Sequence, residues 1–325
     1  MSRWVPSTAV APAGDTTQNE QLEKTAERLL RSSANRSYDP EVDIDWSAPP
    51  VEGKIFQPEH RISLYGTHLW DRLTPKQRLD LGRHEIASIA SVGLWFEILL
   101  MQALLKDVYE SDPTSRRAQY ALTEIADECR HSTMFARAIE WAGVPVYGPV
   151  PAIHRLGKLF PVMAYGPARY GAILIAEEIL DRLQREAMQD ERVQPLVRMV
   201  NRIHVLEEAR HVAFARQEVE RGVKQLSGPE LAYQRWALAH SAFLMVRSLI
   251  NPRVYRAVGL DPKEARRVAL ANPHHRETIR WAGERVMAFL SDMNLVGPPG
   301  MRWWYKSFLL PAPGESRRAE PAVAA

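Results

Sequence analysis

The chain has 325 residues, 46% hydrophobic and 25% charged, with a formal net charge of +3 and one cysteine, Cys129. That length supplies one large domain or two small ones with ample core, while the scattered basic excess argues against a nucleic-acid partner and the lone cysteine excludes an intrachain disulfide framework. No signal-peptide core opens the chain and no run reaches the roughly 18 uninterrupted apolar residues of a membrane span, so the expectation is a cytoplasmic protein with no membrane partner.

Residues 1–45 are rich in Ser, Thr, Pro and charge, and are expected to be disordered or extended. One domain is expected over 46–310, and a flexible tail, "PAPGESRRAEPAVAA", over 311–325. Between them alternating β-branched runs are missing and helical periods are plentiful. The first long helix begins at "LTPKQ", with Thr74 as N-cap, Pro75 at the first helical position and Gln77 closing a capping box, and is predicted to reach about Tyr109. Pro113 in "ESDPTS" breaks it, since proline cannot extend the preceding helix. A second helix is predicted over 114–142, stopped by Gly143 and Pro145. The proline- and glycine-rich stretch 144–167 makes a long connection. A third helix is predicted over 168–190 and a fourth over 193–224, ending before "LSGPE"; shorter ones follow at about 229–250, 262–271 and 273–293. Short, long and short connections describe two helical hairpins joined by a crossover. The predicted fold is all-α: a ferritin-like four-helix bundle with additional C-terminal helices.

Two stretches, "IADECRHSTM" at 125–134 and "HVLEEARHVA" at 204–213, place acids, an arginine and a histidine side by side in otherwise apolar surroundings. On the second helix Glu128 and His131 share a face, being three residues apart; on the fourth Glu208 and His211 do the same. Glu97 lies in an apolar stretch of the first helix and Glu177 in one of the third. The two hairpins carry these acids at one spacing: 31 residues from Glu97 to Glu128, and 31 from Glu177 to Glu208. Each pair straddles a turn signal at its midpoint, so the members meet at one height in an antiparallel hairpin, and the halves repeat with an offset of 80. One Glu from each of two helices, plus a Glu-x-x-His from each of the others, builds a di-iron or di-manganese carboxylate site. Repeat-equivalent Asp127 and Glu207 are candidates to orient the histidines, and Arg130 and Arg210 to neutralise those acids. The repeat breaks at His204, whose counterpart is Glu124. Periodicity alone leaves His204 as either a seventh ligand or a hydrogen-bonded core histidine. Cys129 is turned about 100° from Glu128 and is expected only to pack.

In "WFEILL", "TEIADECRH", "IAEEILDRL" and "RIHVLEEARH" the chain resembles the AurF-like di-iron aminobenzoate N-oxygenases over roughly residues 60–290. That resemblance implies four Glu and three His ligands: Glu97, Glu128, His131, Glu177, His204, Glu208 and His211. It implies two iron ions, O2 as co-substrate, and a peroxo di-ferric species that oxidises an arylamine or related small-molecule amine. Manganese suits the same donors. The implied enzyme is a di-iron monooxygenase served by an electron donor such as a ferredoxin or reductase, with no catalytic side chain beyond the metal centre. In that family a C-terminal arginine is thought to hold the substrate carboxylate, for which Arg276, Arg280 and Arg285 are available; Ile89 stands where a polar pocket residue is sought. The alternatives are a desaturase or hydroxylase of a carrier-bound acyl chain, and a ferroxidase or iron-binding protein. A radical-storing reductase subunit would want a tyrosine where Phe135 stands.

Helical geometry places Gly93, Leu94, Met101, Phe135, Ile173 and Leu174 one turn from the ligands, as candidates for the substrate pocket. About 100 residues follow His211, with Trp236, His240, Phe243 and "MRWWYKSF" able to roof a pocket or form a dimer contact. A homodimer is expected.

Overall fold

The computed structural model describes residues 13–315, and every regular element among them is helical; their one isolated extended pairing is a bridge between Ile55 and Val193. The long helices are α1 (Ala13–Asn35), α2 (Pro75–Glu110), α3 (Arg116–Trp141), α4 (Gly166–Gln189), α5 (Pro195–Val223), α6 (Gly228–Val246), α7 (Pro262–Ala271) and α8 (Pro273–Asp292). Local chemistry sets their starts. Thr74 accepts a hydrogen bond from the Gln77 N–H while the Gln77 side chain bonds back to the Thr74 N–H, which is the capping box expected of the sequence. Ser115 caps α3 after the Asp112–Pro113 break, and Asp261 caps α7.

Hairpins α2–α3 and α4–α5 pack side by side, with α3 against α5 and α2 against α4, forming the ferritin-like bundle. The crossover between them is not featureless: two short helices, Pro151–Gly157 and Phe160–Met163, lie in it. Helices α6 and α8 cover α4 from outside. At the open end of the hairpin α4–α5 the helices approach closely: a Cβ added at Gly222 would fall 2.7 Å from the Pro167 ring. Helix α2 is the one described helix long and apolar enough to cross a membrane, yet 56% of its most apolar stretch is buried here against the bundle.

The expectation for residues 1–45 is corrected over the part described. Helix α1 packs on α3 and α5, and its Ala26 and Leu29 join the main core. Leu22, Ala26, Leu29 and Ser33 repeat at helical spacing inside a polar composition, and that narrow stripe is enough to bury one face. The chain then turns through a short helix at Pro40–Asp43, and Ile44 packs with Met134 and Phe135 of α3. Residues 1–12 lie outside the described residues, as does 316–325 of the tail. The start of the tail is anchored: the Glu315 carboxylate lies 3.2 Å from Arg280 Nη1.

Twelve residues before Glu97 on α2, Glu85 is buried and accepts the Ser63 N–H at 3.0 Å and the Ser63 hydroxyl, which itself lies 2.9 Å from the Tyr255 hydroxyl. Burial pushes its carboxyl up to about 7. The unfolded chain ionises this group near 4.5, so between those values the folded state holds the extra proton and stability falls as pH rises, levelling above pH 7. That contribution is on the order of 3 kcal/mol between pH 4 and 8. Thermal unfolding of Glu85→Gln should lack this component; parallel curves of melting temperature against pH for the two proteins would exclude it.

Candidate metal centre

Four helices each deliver acids to one level of the bundle. Glu97 on α2, Glu128 and His131 on α3, Glu177 on α4, and His204, Glu208 and His211 on α5 are each no more than 2% exposed. Their donor atoms converge in overlapping groups: Glu128, His131, Glu208 and His211; Glu97, His131 and His204; Glu177, His204 and Glu208. His131 Nδ1 lies 3.1 Å from Glu208 Oε1, and His211 Nδ1 lies 3.1 Å from Glu128 Oε1 and 3.0 Å from Glu208 Oε1. His204 Nε2 stands 3.7 Å from both Glu97 Oε1 and Glu208 Oε1.

The electrostatics of the cluster favour cations. Burial, with added repulsion from Glu128, pushes Glu97 above the carboxylate range, and burial with the charges of Glu208 and Glu128 pushes Glu177 well above it. Burial opposes charge on His131 and His211, yet the surrounding carboxylates hold both imidazoles well above their usual range. Glu208 is held well below its usual range, against burial, by the charge of His211 and by a hydrogen bond from its imidazole. Even so, oxygens of Glu128, Glu177 and Glu208, together with His131 Nδ1 and His204 Nε2, have no hydrogen-bond partner. Uncompensated buried groups of this kind are severely unfavourable, and two divalent cations would satisfy them together. The residues fit a dinuclear carboxylate centre.

The surrounding polar residues are arranged crosswise. Glu207 of α5 meets the outer nitrogen of His131 on α3, with Oε2 2.9 Å from Nε2; Asp127 of α3 meets His211 on α5, with Oδ2 3.3 Å from Nε2. Each acid thereby aims the imidazole Nδ1 of the opposite hairpin inward. Arg130 pairs with Asp127, and Arg210 spans Asp127 at 3.5 Å and Glu207 at 3.6 Å. Four partners were not read from the sequence. Gln184 Oε1 holds His204 Nδ1 at 2.8 Å, so His204 faces inward through the other nitrogen; Gln184 lies two turns after Glu177 on the same face of α4, a signal that was available. The Ser132 hydroxyl donates to Glu97 Oε2 at 2.7 Å. The Tyr38 N–H donates to Glu207 Oε1 at 3.0 Å, a contact from the amino-terminal segment that no spacing rule reveals. Glu124, one turn before Glu128, is buried with Oε2 unpartnered, and burial pushes its carboxyl up to about 8. Cys129 faces outward, its Sγ 3.5 Å from Met101 Sδ.

A cavity of about 70 Å³ abuts the His204 side, lined in part by Gly93, Phe135, Leu180, Gln184, Val200 and Asn201. Of the positions expected to form a pocket, Gly93 and Phe135 line it, and at Gly93 a Cβ would project to within 3.6 Å of Leu180. Leu94, Met101, Ile173 and Leu174 do not line it. Ile173 and Leu174 are packed in the main core, and Leu94 and Met101 are partly exposed. A second cavity of about 60 Å³ shares Gln57, Arg61, Ile89 and Leu183 with the first and adds Arg247, Arg266 and His275. Neither Arg247 nor Arg266 is paired with a carboxylate among the described residues, and burial plus the repulsion of Arg266 and Arg276 lowers Arg247 to about 10. His275 Nδ1 is buried without a partner. The arginines looked for at the carboxyl end are otherwise engaged or outside: Arg276 and Arg280 face Glu315, and Arg285 is exposed. A third cavity, about 330 Å³, lies beneath the crossover and is lined by Trp95, Phe96, Phe160, Trp236 and His240 among others. Trp236 thus roofs a cavity, whereas Trp304 is core.

The profile of the family described as p-aminobenzoate N-oxygenase AurF matches residues 19–294, and the chain belongs to that family. It is also similar to the uncharacterized proteins Rv0885 of Mycobacterium tuberculosis and Mb0909 of Mycobacterium bovis, each 27% identical over 292 residues that cover 85% of this chain and 84% of theirs.

Glu207→Ala and Asp127→Ala should each weaken Co(II) binding about 10- to 100-fold by freeing one imidazole from its orienting acid. Competitive titration against a chelator measures this, and wild-type affinity in both variants would remove these acids from the centre.

Proposed function

We propose that this member of the aminobenzoate N-oxygenase family is a non-haem di-iron monooxygenase that N-oxygenates a small-molecule amine carrying an anionic group. The observation that carries the reading is the convergence of four glutamates with three histidines, the third histidine held by Gln184. Iron rather than manganese rests on the family, since the donors suit either metal. When bound, the two ions supply the site at which O2 is reduced; the electrons come from a donor such as a ferredoxin or reductase.

The chain's own residues do the rest. Glu207, Asp127 and Gln184 orient the three imidazoles; Phe135, Leu180 and Val200 keep the cavity beside His204 apolar and dry. Within it Gln184 and Asn201 are the amide groups placed to orient an amine. The adjoining cavity supplies the other end of the substrate's recognition. Unpaired Arg247 and Arg266 there favour an anion, and Arg61, stacked 3.7 Å from the Trp281 ring and paired with Glu186 at 2.7 Å, walls the junction. A neutral His275 can donate to the same anion, because burial and the repulsion of Arg247 lower it to about 4.

One observation favours the alternative, oxidation of a carrier-bound acyl chain. The 330 Å³ cavity is lined almost wholly by apolar side chains, and it shares Phe96 and Met245 with a small void that also touches Gly93 and Leu180 of the cavity beside His204.

Iron-loaded, chemically reduced protein mixed with 18O2 and 4-aminobenzoate should yield labelled hydroxylamino or nitro product. Labelled acyl product from an acyl carrier substrate, with none from amines, would establish the alternative. Arg247→Met should raise KM for carboxylated arylamines at least tenfold with kcat nearly unchanged, and should leave neutral arylamines unaffected; equal effects on both classes would remove the arginine from substrate recognition.

A further inference from the structure

Among the buried side-chain atoms left without a hydrogen-bond partner, those of Glu128, His131, Glu177, His204 and Glu208 belong to the proposed ligands. Glu124 Oε2 is in the same condition. Glu124 is 1% exposed, one turn before Glu128 on the face of α3 that carries the ligands, and no hydrogen bond explains its burial. An unpartnered carboxyl oxygen buried there is unfavourable, and a nearby cation would satisfy it.

The internal repeat supplies an independent observation. Its offset of 80 residues maps Glu124 onto His204, just as it maps Glu128 onto Glu208 and His131 onto His211. His204 stands on the His131 side of the centre, their rings 4.8 Å apart, and groups with Glu97 and His131. His211 groups with Glu128, His131 and Glu208 but not with His204. Glu124 lies one turn before Glu128, a member of that group.

We propose that Glu124 is an eighth member of the metal centre, serving the ion on the His211 side through its carboxylate oxygen or one intervening water ligand. It takes the position that His204 occupies on the other side. This rests on the dinuclear reading of the site. One ion then has two histidines in its surroundings and the other has one histidine and an extra carboxylate, so the two positions differ in donor set and in affinity.

Co(II) titration of the metal-stripped full chain, followed by calorimetry and visible absorbance, tests it. Wild type should bind two ions. Glu124→Gln should hold one as tightly as wild type and the other at least tenfold more weakly, with an altered cobalt spectrum. Glu124→His, which copies the other half, should restore tight binding of both ions. Because the glutamine replaces a carboxyl that has no hydrogen bond, metal-free Glu124→Gln should unfold at or above the wild-type temperature. Two tight ions with the wild-type spectrum in Glu124→Gln would overturn the proposal. So would equal weakening of both ions together with a lower metal-free unfolding temperature, which is the mark of a merely structural residue. Fewer than two ions in wild type would instead fell the dinuclear reading itself.

Discussion

Burying charge without water is the constraint on which this structure depends. Glu97, Glu128, Glu177 and Glu208 occupy the interior of a helical bundle, where an isolated carboxylate is unfavourable by several kcal/mol. Cations among them would offset their repulsion, and every helix must hold its register so that no oxygen faces hydrocarbon. The hairpin turns at Asp112–Pro113 and near Asp190 are therefore more than connections. They set the height at which each glutamate meets its Glu-x-x-His partner, and a one-residue slip would rotate a ligand about 100° away from the centre.

The two hairpins are tied across the centre rather than merely packed. Asp127 orients the histidine of α5 while Glu207 orients that of α3, so neither hairpin completes its own half. Yet the halves are not equivalent. On the His204 side, Gln184, Val200 and Asn201 leave a cavity; their repeat counterparts Leu104, Tyr120 and Ala121 are buried, with the Tyr120 ring 4.9 Å from that of Phe214. Of these exchanges only Tyr120 in place of Val200 adds bulk; Ala121 is smaller than Asn201, and Leu104 is close in size to Gln184.

Much of this was legible in the residues. One helix start announced itself through Thr74, and the 31-residue spacing set the four glutamates at matching heights because antiparallel geometry converts sequence distance into height. The family resemblance added His204. What escaped obeys a different physics. Helix α1 hides its apolar stripe in a polar composition, so averages suggest disorder where a periodic pattern supports packing. Arg247 and Arg266 reach their cavity from α6 and α7, and no local rule relates helices joined by long irregular turns. Of the six candidate pocket positions, Gly93 and Phe135 line the cavity, whereas Ile173 and Leu174 are packed in the main core, a burial that helical phase alone does not distinguish.

The Tyr38 N–H that holds Glu207 joins residues 169 apart in the chain. The amino-terminal segment precedes in the chain the surface on which it docks, formed by α3 and α5. It can find its place only once both of those helices are in position. Closure of the amino-terminal strap over the histidine-orienting acid is a completion signal: it can form only on a chain that has already assembled both hairpins.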